Sequence, residues 1–439
     1  MQYDIVVCGG GLAGVAAAVA AARKGKEVLL IEQHGFLGGC ATLGLVNPFM
    51  KYYLNKNKLL ANEIFLEIIK RLKDSRGAWG EPPHFFDPEV LKGVLFEICE
   101  ESGVNILLYS KVLTANTENG IIKSINVSLK EGIEEIKGTV FVDATGDGDL
   151  AASAGAKWEY GDGEVAQPMT LMFRIGNIDY KKFVEYLRTA NDCSEWVNLN
   201  YIEKCVEIGA PFSFAGLSKA INKYREDFPE IPAQNKVFFP TCLPRRGEAF
   251  VNMTRVQMLS GLVSRDLTKA TIMAYWQAYK LVLFLKKHIP GFEEAYLLES
   301  APIIGVRETR RIIGEYVLTA DDILKARKFD DAVAAGCYPI DIHPMRPSDK
   351  ETIMKGPPPG DYYEIPYRCL VPLGLKNLLV TGRCISTTHE AQAAIRVMPI
   401  ACSLGETAGY AAALAVEKKG LVREININTL QKLLDYRHR

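Results

Sequence analysis

The stretch from Tyr3 to Gly14 reads YDIVVCGGGLAG and decides the fold. Its first half is short, apolar and β-branched, which predicts a buried strand. An alanine-rich run from Leu12 to about Lys24 then predicts a helix, and a second apolar run from Glu27 to Glu32 predicts another strand. Strand, helix and strand in this order indicate a parallel sheet with helices on both faces.

Three glycines in this stretch, Gly9, Gly11 and Gly14, have the spacing G-x-G-x-x-G. Gly9 allows the tight turn after the strand, Gly11 lets the backbone approach a pyrophosphate, and Gly14 lets the helix pack closely on the strand. The amino end of the helix would stabilise the phosphate charge, and Glu32 would accept hydrogen bonds from ribose hydroxyls. This context favours a dinucleotide site over incidental glycines, but the motif fits NAD and FAD equally.

A second stretch, GDGDLA at residues 146–151, has a superficially similar pattern after a predicted strand. It would place two aspartates where phosphates bind, and like charges repel there. We therefore do not interpret it as a second nucleotide site. Asp147 is predicted instead to lie near the cofactor of the first site.

Composition narrows the classes of protein further. The chain has 439 residues, 48% of them hydrophobic, with 52 Lys plus Arg balancing 52 Asp plus Glu. This length predicts two or three domains, and the charge balance argues against nucleic-acid binding through bulk positive charge. The uncharged run Ile5–Ala22 is as long as a membrane span, but glycines interrupt it, so we predict no span there. No basic segment precedes the run, which argues against a signal peptide.

The ten cysteines contain no C-x-x-C pair, so the spacing of zinc ribbons and Cys-ligated iron–sulfur clusters is missing. We predict no metal site, and scattered free cysteines suit a cytoplasmic protein.

The rest of the chain divides into segments with different patterns of predicted strands and helices. Apolar runs flank Asn119-Gly120 and predict a hairpin, and residues 139–144 predict a strand. From about residue 158 mixed strands and amphipathic helices follow, up to the linker-like GPPPG at 356–360. A strand at 377–381 and a helix from Pro399 come last.

These motifs resemble those of FAD-dependent oxidoreductases with the glutathione-reductase-like, two-dinucleotide-binding-domain flavoprotein fold. The sequence is more distantly similar to fumarate-reductase flavoproteins and thiazole-synthase-like proteins. Besides the first fingerprint, the matching stretches are GGCAT at 38–42, VDATGD at 142–147, IGVRETRR at 304–311, YEIPYR at 363–368, NLLVTGRCIS at 377–386 and AAIRVMP at 393–399.

The resemblance implies an α/β fold. A Rossmann-like FAD-binding domain, with a parallel sheet, a β-meander and helices, would consist of residues 1–157 and 361–439. An α+β substrate domain would be inserted at residues 158–360.

The resemblance also implies which residues hold FAD. The helix from Pro399 would direct its positive end at the flavin N1–C2 edge and stabilise the anionic reduced flavin. The spacing of His34-Gly35-Phe36-Leu37 does not match a covalent attachment motif, so noncovalent FAD is predicted. The implied residues are Gly9, Gly11, Leu12, Ala13, Gly14, Glu32, Gln33, Gly38, Gly39, Thr42, Val112, Ala144, Thr145, Gly146, Asp147, Gly382, Arg383, Arg396, Val397 and Met398.

Five residues are candidates for catalysis. Imidazole is the usual acid or base near neutral pH, and arginine binds carboxylates through paired donors. A structural histidine, an arginine ion-paired with a neighbouring carboxylate and a buried tyrosine hydroxyl are the alternatives. The candidates are His343, His389, Arg307, Arg310 and Tyr367.

The predicted function is an FAD-dependent oxidoreductase that exchanges a hydride between flavin N5 and a small organic substrate, anionic or with a carbonyl or hydroxyl group. It would need an external electron donor or acceptor, because neither a redox cysteine pair nor a convincing second nucleotide motif is present. A homo-oligomer is compatible with the sequence. The alternatives are an electron-transfer subunit without its own substrate and a thiazole-synthase-like biosynthetic protein.

Overall fold

The computed structural model describes residues 2–55, 58–232, 236–349 and 352–435. Met1 and residues 436–439, which the predicted outer segments include, lie outside these ranges. The strands are β1 (Gln2–Cys8), β2 (Val28–Ile31), β3 (Tyr53–Asn55), β4 (Lys58–Leu59), β5 (Ala78–Gly80), β6 (Pro83–Phe86), β7 (Asn105–Leu107), β8 (Lys111–Glu118), β9 (Ile121–Leu129), β10 (Gly132–Asp143), β11 (Trp158–Tyr160), β12 (Phe173–Gly176), β13 (Phe212–Gly216), β14 (Val237–Leu243), β15 (Glu248–Val251), β16 (Tyr296–Ser300), β17 (Arg310–Ile312), β18 (Ala332–Gly336), β19 (Ile340–Ile342), β20 (Ile353–Lys355), β21 (Tyr363–Pro366) and β22 (Leu378–Val380).

The two helices predicted from the sequence begin within one residue of the expected positions, at Leu12 and Met398. The third helix begins after Asp87, whose side chain accepts a hydrogen bond from the backbone of Glu89. The helices are α1 (Leu12–Ala22), α2 (Glu63–Asp74), α3 (Pro88–Glu101), α4 (Asp149–Ser153), α5 (Tyr180–Ala190), α6 (Leu199–Ile208), α7 (Ser218–Lys223), α8 (Ser264–His288), α9 (Ala320–Leu324), α10 (His389–Ile395), α11 (Met398–Val416) and α12 (Ile427–Leu433).

The main sheet has the order β7-β2-β1-β10-β9-β8, with β22 also paired to β10. Strands β7, β2, β1, β10 and β22 run parallel, as the strand–helix–strand pattern predicts. Every residue of β2 is buried, because helices cover both faces of the sheet. The parallel strands therefore end at one common edge, where the glycine-rich turn follows β1.

The meander of β8, β9 and β10 confirms the predicted hairpin. Asn119 and Gly120 both have positive φ, at 51° and 76°, which joins β8 and β9 by a tight turn. The long strand β10 pairs antiparallel with β9 along its first half and parallel with β22 at its end. One strand thus connects the meander to the parallel part of the sheet.

A second sheet, with the order β13-β14-β15-β12-β16, lies within residues 173–300. It encloses its own hydrophobic core, rich in phenylalanine and including Phe183, Phe214 and Phe239. Side chains from Ile312 to Ile342, however, are buried in the core of the main sheet. We propose from this packing that the inserted segment ends near residue 300 rather than at 360.

Helices α1 and α11 are in very close contact. A Cβ added to Gly405 would lie 2.0 Å from the carbonyl oxygen of Ala13, and one added to Gly409 would lie 2.2 Å from that of Ala17. This contact places the C-terminal helix against the first helix of the chain. In the part of the chain that is described, no helix is both long and apolar enough to cross a membrane.

Candidate functional site

A cavity of about 460 Å³ lies at the carboxyl edge of the parallel strands. In open α/β sheets this edge is where ligands bind, because the loops after the strands and the amino ends of helices meet there. All of the predicted cofactor residues line the cavity except Gly14, Thr42 and Val397.

The glycine-rich turn at the cavity has the geometry that a pyrophosphate needs. Gly9 has φ +104°, and an added Cβ would lie 2.4 Å from the carbonyl oxygen of Ala144. Around Gly11 nothing lies within 4 Å of an added Cβ, so a ligand can approach the backbone there. No side chain caps the amino end of α1, which leaves its first N–H groups available to an anion.

Glu32 connects this turn to the loop after β2. Its Oε2 accepts a hydrogen bond from the backbone N–H of Gly10 at 2.6 Å, and its Oε1 accepts one from that of His34 at 2.8 Å. A carboxylate has about four acceptor positions, so two remain for ribose hydroxyls. The residues at this end therefore fit a ribose next to a pyrophosphate.

The opposite end of the cavity is polar and contains an ion pair. Arg383 Nη2 donates to Asp147 Oδ1 at 2.7 Å, and the Thr309 hydroxyl donates to the same oxygen at 2.6 Å. Gly146 has φ +79°, and a Cβ there would lie 3.1 Å from Arg383 Nη2. Asp147 is thus the ion-pair partner of a cofactor-site arginine.

A second helix also begins at the cavity. Met398 and Ala401 of α11 line it, and no side chain caps the amino end of this helix. The positive ends of α1 and α11 therefore meet at one cavity, because the two helices pack closely together.

The three predicted residues outside the lining have contacts of their own. The Thr42 hydroxyl donates to the carbonyl oxygen of Leu37 at 2.6 Å, and Val397 is the cap residue of α11. A Cβ on Gly14 would lie 1.7 Å from the carbonyl oxygen of Gly9. These residues shape the turns around the cavity without lining it.

Arg396 lines the cavity and connects it to a charged cluster that includes His343. Arg396 Nη2 donates to the Asp341 carbonyl oxygen at 3.2 Å and lies 3.6 Å from its carboxylate. His343 Nε2 is 3.6 Å from the same carboxylate, and the Tyr338 hydroxyl donates to it at 3.0 Å. Arg307 is close enough to affect the pKa values of both Asp341 and His343.

The cluster holds these groups in defined charge states. Burial, followed by the charge of Arg307, lowers the pKa of His343 to about 4, so its imidazole is neutral near pH 7. Burial opposes ionisation of Asp341, but its contact with His343 and the nearby arginines hold its pKa well below its usual range. Burial also lowers the pKa of Arg307, and Arg396 adds to this effect.

The second predicted histidine, His389, lies in a neighbouring cluster. Its Nδ1 is 2.9 Å from Oε1 of the buried Glu308, which also pairs with Arg311 at 2.5 Å. Gln167 connects the two clusters, because its N–H donates to Glu308 at 3.3 Å and its side-chain oxygen accepts from His343 N at 3.4 Å.

Arg310 and Tyr367 have other environments. Arg310 and its neighbour Arg311 lie on strand β17, which pairs with β11. Arg310 Nη1 donates to Asp149 Oδ1 at 2.7 Å, which is the ion-pair alternative. Tyr367 is buried and its hydroxyl donates to the Val422 carbonyl oxygen at 2.8 Å. None of the five catalytic candidates lines the cavity itself, and Arg396 is the lining residue that contacts the cluster of His343.

Within the described ranges, no set of three or more His, Cys, Asp or Glu side chains has an arrangement that could hold a metal ion. The residues present fit an organic dinucleotide, because the uncapped helix ends could hold its phosphates, Glu32 a ribose, and Arg383 a group at the other end of the cavity.

The family model for FAD-dependent oxidoreductases matches residues 4–434, which is nearly the whole chain. The chain belongs to the FAD-dependent oxidoreductase family. It is an oxidoreductase with FAD as its cofactor.

Curated relatives match about a third of this family member. A soluble pyridine nucleotide transhydrogenase of Chromohalobacter salexigens is 28% identical over 156 residues, and that of Pseudomonas syringae pv. syringae is 29% identical over 151 residues. In both cases the match covers 33% of this chain and 31% of the relative. The match thus spans about a third of the length of these relatives.

Solved structures with similar coordinates cover almost all of this oxidoreductase at low identity. A geranylgeranyl bacteriochlorophyll reductase-like protein from Thermoplasma acidophilum has a TM-score of 0.49 and 14% identity, covering 99% of this chain and 84% of its own. L-proline dehydrogenase from P. horikoshii has a TM-score of 0.42 and 13% identity, covering 100% and 98%.

The sequence analysis of this flavoprotein missed the contribution of the inserted segment to the cavity. Leu267 and Thr271 of α8 line it together with Gly261, residues 302–304 and Val306. No local pattern indicates this role, because α8 is an ordinary amphipathic helix in the sequence. Ile304 and Val306, however, belong to a stretch that matched the family.

Proposed function

We propose that this FAD-dependent oxidoreductase acts on a small organic anion held beside the flavin. The observation that carries this proposal is that the positive charge of Arg307 has no ion-paired carboxylate among the described residues. Arg307 Nη1 donates to the Pro168 carbonyl oxygen and the Thr170 hydroxyl, both at 2.6 Å. Among the residues described, no carboxylate lies within ion-pair distance of its guanidinium.

The surroundings of Arg307 favour an anionic ligand. Arg396 and Arg255 both repel its charge, while the carboxylate of Asp341 partly offsets it. A partly desolvated cation without a bonded counter-ion is unfavourable, and a substrate carboxylate would relieve that cost. Arg307 would orient the carboxylate, and Arg396 would face both the substrate and the cofactor cavity.

When bound, FAD supplies hydride exchange at its N5 atom. His343 is the first choice for the coupled proton transfer. With its Nε2 proton directed at Asp341, its Nδ1 is an acceptor, and no partner in the described chain bonds that atom. A neutral imidazole can take a proton from a substrate hydroxyl or amine.

His389 is the second choice for the proton transfer. Its Nδ1–H would donate to Glu308 and leave Nε2 as the acceptor, and this atom is likewise unpartnered among the described residues. Glu308 would then fix the orientation of the ring. An external electron donor or acceptor would complete the cycle.

The test is anaerobic mixing of the purified holoenzyme with carboxylates and with their neutral amides, followed by flavin absorbance. We expect a hydroxy or amino acid to bleach the oxidised flavin, or an unsaturated or oxo acid to reoxidise the photoreduced one. The matched amide should react at least about tenfold more slowly, in keeping with the loss of a charged hydrogen bond.

Variants separate binding from proton transfer. Arg307→Met should raise KM for the carboxylate and leave KM for the amide nearly unchanged. His343→Gln should lower kcat, with His389→Gln as the matched comparison. Equal rates for acid and amide would contradict the anionic substrate, and reaction only with one-electron acceptors would favour an electron-transfer subunit.

A further inference from the structure

A second groove, of about 690 Å³, lies between residues 73–83 of the first segment and residues 208–246 of the inserted segment. One wall is the end of α2 with the β5–β6 hairpin, and the other is the end of α6 with the turn after β14. Its volume is in the range of small-molecule pockets. It shares no lining residue with the cofactor cavity. A hydrophobic cluster that includes Trp79, Leu243 and Leu267 extends from one to the other.

Four cationic side chains line this groove: Lys73, Arg76, Arg245 and Arg246. In the described ranges, the one ion pair that they form joins Arg246 Nη1 to Asp87 Oδ2 at 2.8 Å. The neighbouring acid Asp74 pairs instead with Lys70 at 2.7 Å. The groove is therefore positively charged, although the whole chain has equal numbers of acidic and basic residues.

Arg245 is held in place by the backbone of α6. Its Nη2 donates to the carbonyl oxygen of Ile208 at 3.2 Å. A Cβ on Gly209 would lie 2.4 Å from the Arg245 Cγ, so the arginine stem packs directly on this glycine. On the opposite wall, Arg76 has φ 57°, a left-handed conformation that favours glycine or asparagine. Arg76 therefore has a restricted backbone on one wall, and Arg245 packs against Gly209 on the other.

The rest of the lining is apolar. It includes Ala78, Trp79, Pro83, Pro211 and Leu243, and the Arg246 guanidinium lies 5.6 Å from the centre of the Trp79 ring. An inorganic ion would leave this surface uncovered, whereas an uncharged ligand would leave the cations unpaired. A ligand with an apolar or planar body and several negative charges would cover the apolar surface and also pair with the cations.

We propose that this groove binds an organic polyanion of the nucleoside diphosphate or triphosphate class. Arg76 and Arg245 would bind phosphate oxygens from opposite walls, and Lys73 would add a third positive charge. The planar base would lie against Trp79 and the neighbouring apolar residues. This site is separate from the FAD cavity and does not depend on the identity of the substrate.

The test is isothermal titration calorimetry of the FAD-loaded protein with three probes: ATP, inorganic tripolyphosphate and adenosine. We expect saturable binding of ATP, weaker binding of tripolyphosphate by about tenfold, and no measurable binding of adenosine, because both the charges and the apolar surface contribute. The flavin absorbance should not change during the titration, since bound FAD stays in its own cavity.

Two variants on opposite walls, Arg76→Ala and Arg245→Ala, should each weaken ATP binding about tenfold, the effect of losing a charged hydrogen bond. Lys325→Ala, which removes an exposed cation elsewhere, is the matched control and should bind like the parent. The proposal is overturned if ATP does not bind, if it displaces FAD, if tripolyphosphate binds as tightly as ATP, or if both arginine variants keep the parent affinity.

Discussion

Arg383 Nη2 donates a hydrogen bond to Asp147 Oδ1 at 2.7 Å across 236 positions of the sequence. The pair joins the loop after β22 to the loop after β10, and both loops follow parallel strands that end at the cofactor cavity. Because Thr309 donates to the same carboxylate oxygen, the segment between β16 and β17 is also tied to this pair. The charge balance at this end of the cavity therefore depends on three distant parts of the chain.

Asp147→Asn should raise the reduction potential of the flavin, because it removes a negative charge beside the cavity and leaves Arg383 without its counter-ion. The expected shift is on the order of 30 mV, which corresponds to about 1.4 kcal/mol for a two-electron couple. Dye equilibration measures it. Thr309→Val, which removes a hydrogen bond but no charge, is the control and should shift the potential less. A lower potential in Asp147→Asn would contradict this interpretation.

Glu32→Gln should weaken FAD binding by about tenfold, because the amide places N–H donors where two backbone N–H groups and the ribose hydroxyls need acceptors. Titration of the apoprotein with FAD, followed by flavin fluorescence, measures this change. Glu118→Gln, in the meander and away from the cavity lining, is the matched control. Equal FAD affinities for the two variants would show that Glu32 does not contact the cofactor.

Gly405→Ala should destabilise the protein by about 3 kcal/mol or more, because its Cβ would lie 2.0 Å from the backbone of α1. Gly93→Ala is the matched change in α3, where nothing lies within 4 Å of the added Cβ. That variant should gain up to about 1 kcal/mol from higher helix propensity. Urea unfolding measures the free energy of unfolding of both variants. Similar values would mean that α1 and α11 do not approach as closely as the added Cβ on Gly405 requires.

His343 should make the protein less stable in mild acid. Its pKa is lowered to about 4 in the folded state, so the unfolded chain takes up a proton first as the pH falls below about 6.5. Between pH 7 and pH 4.5 this linkage costs about 2 kcal/mol of unfolding free energy. In urea unfolding over the same pH range, the free energy of unfolding of His343→Gln should therefore fall by about 2 kcal/mol less than that of the parent. The same pH dependence in both proteins would rule out a buried neutral His343.

Acid precipitation should release the flavin into the supernatant, since we expect noncovalent FAD. Cys40 lines the cavity, but desolvation raises the pKa of its thiol, so little of the nucleophilic thiolate exists near neutral pH. Flavin absorbance of the pellet and the supernatant measures the partition, with Cys40→Ser as the control. Flavin that stays with the parent but leaves Cys40→Ser would indicate a covalent link at this residue.

Sequence reasoning predicted the first strand–helix–strand unit, the hairpin and the last helix, because each depends on residues close together in the chain. Gly9, Gly11 and Glu32 are at most 23 positions apart, so their spacing alone brings the turn next to the end of β2. Positive φ values at Asn119 and Gly120 follow from the residue types themselves. Family matches then extended the prediction to Arg383 and Met398 in the last part of the chain.

Other features were decided by tertiary structure. Thr42 and Tyr367 point their hydroxyls at nearby carbonyl groups, which residue type does not reveal. The end of the inserted segment depends on which core buries residues 312–342, and this packing is a long-range property.

The amino-acid sequence by itself determined the first strands of the sheet, the glycine-rich turn and the family, because short-range periodicity and glycine spacing carry that information. Tertiary structure alone decided that Arg307, His343 and Arg396 share one cluster and that Arg76 and Arg245 face one groove. Contacts between distant segments follow from how whole helices and strands pack, and the α1–α11 contact through Gly405 shows how one missing side chain sets that geometry.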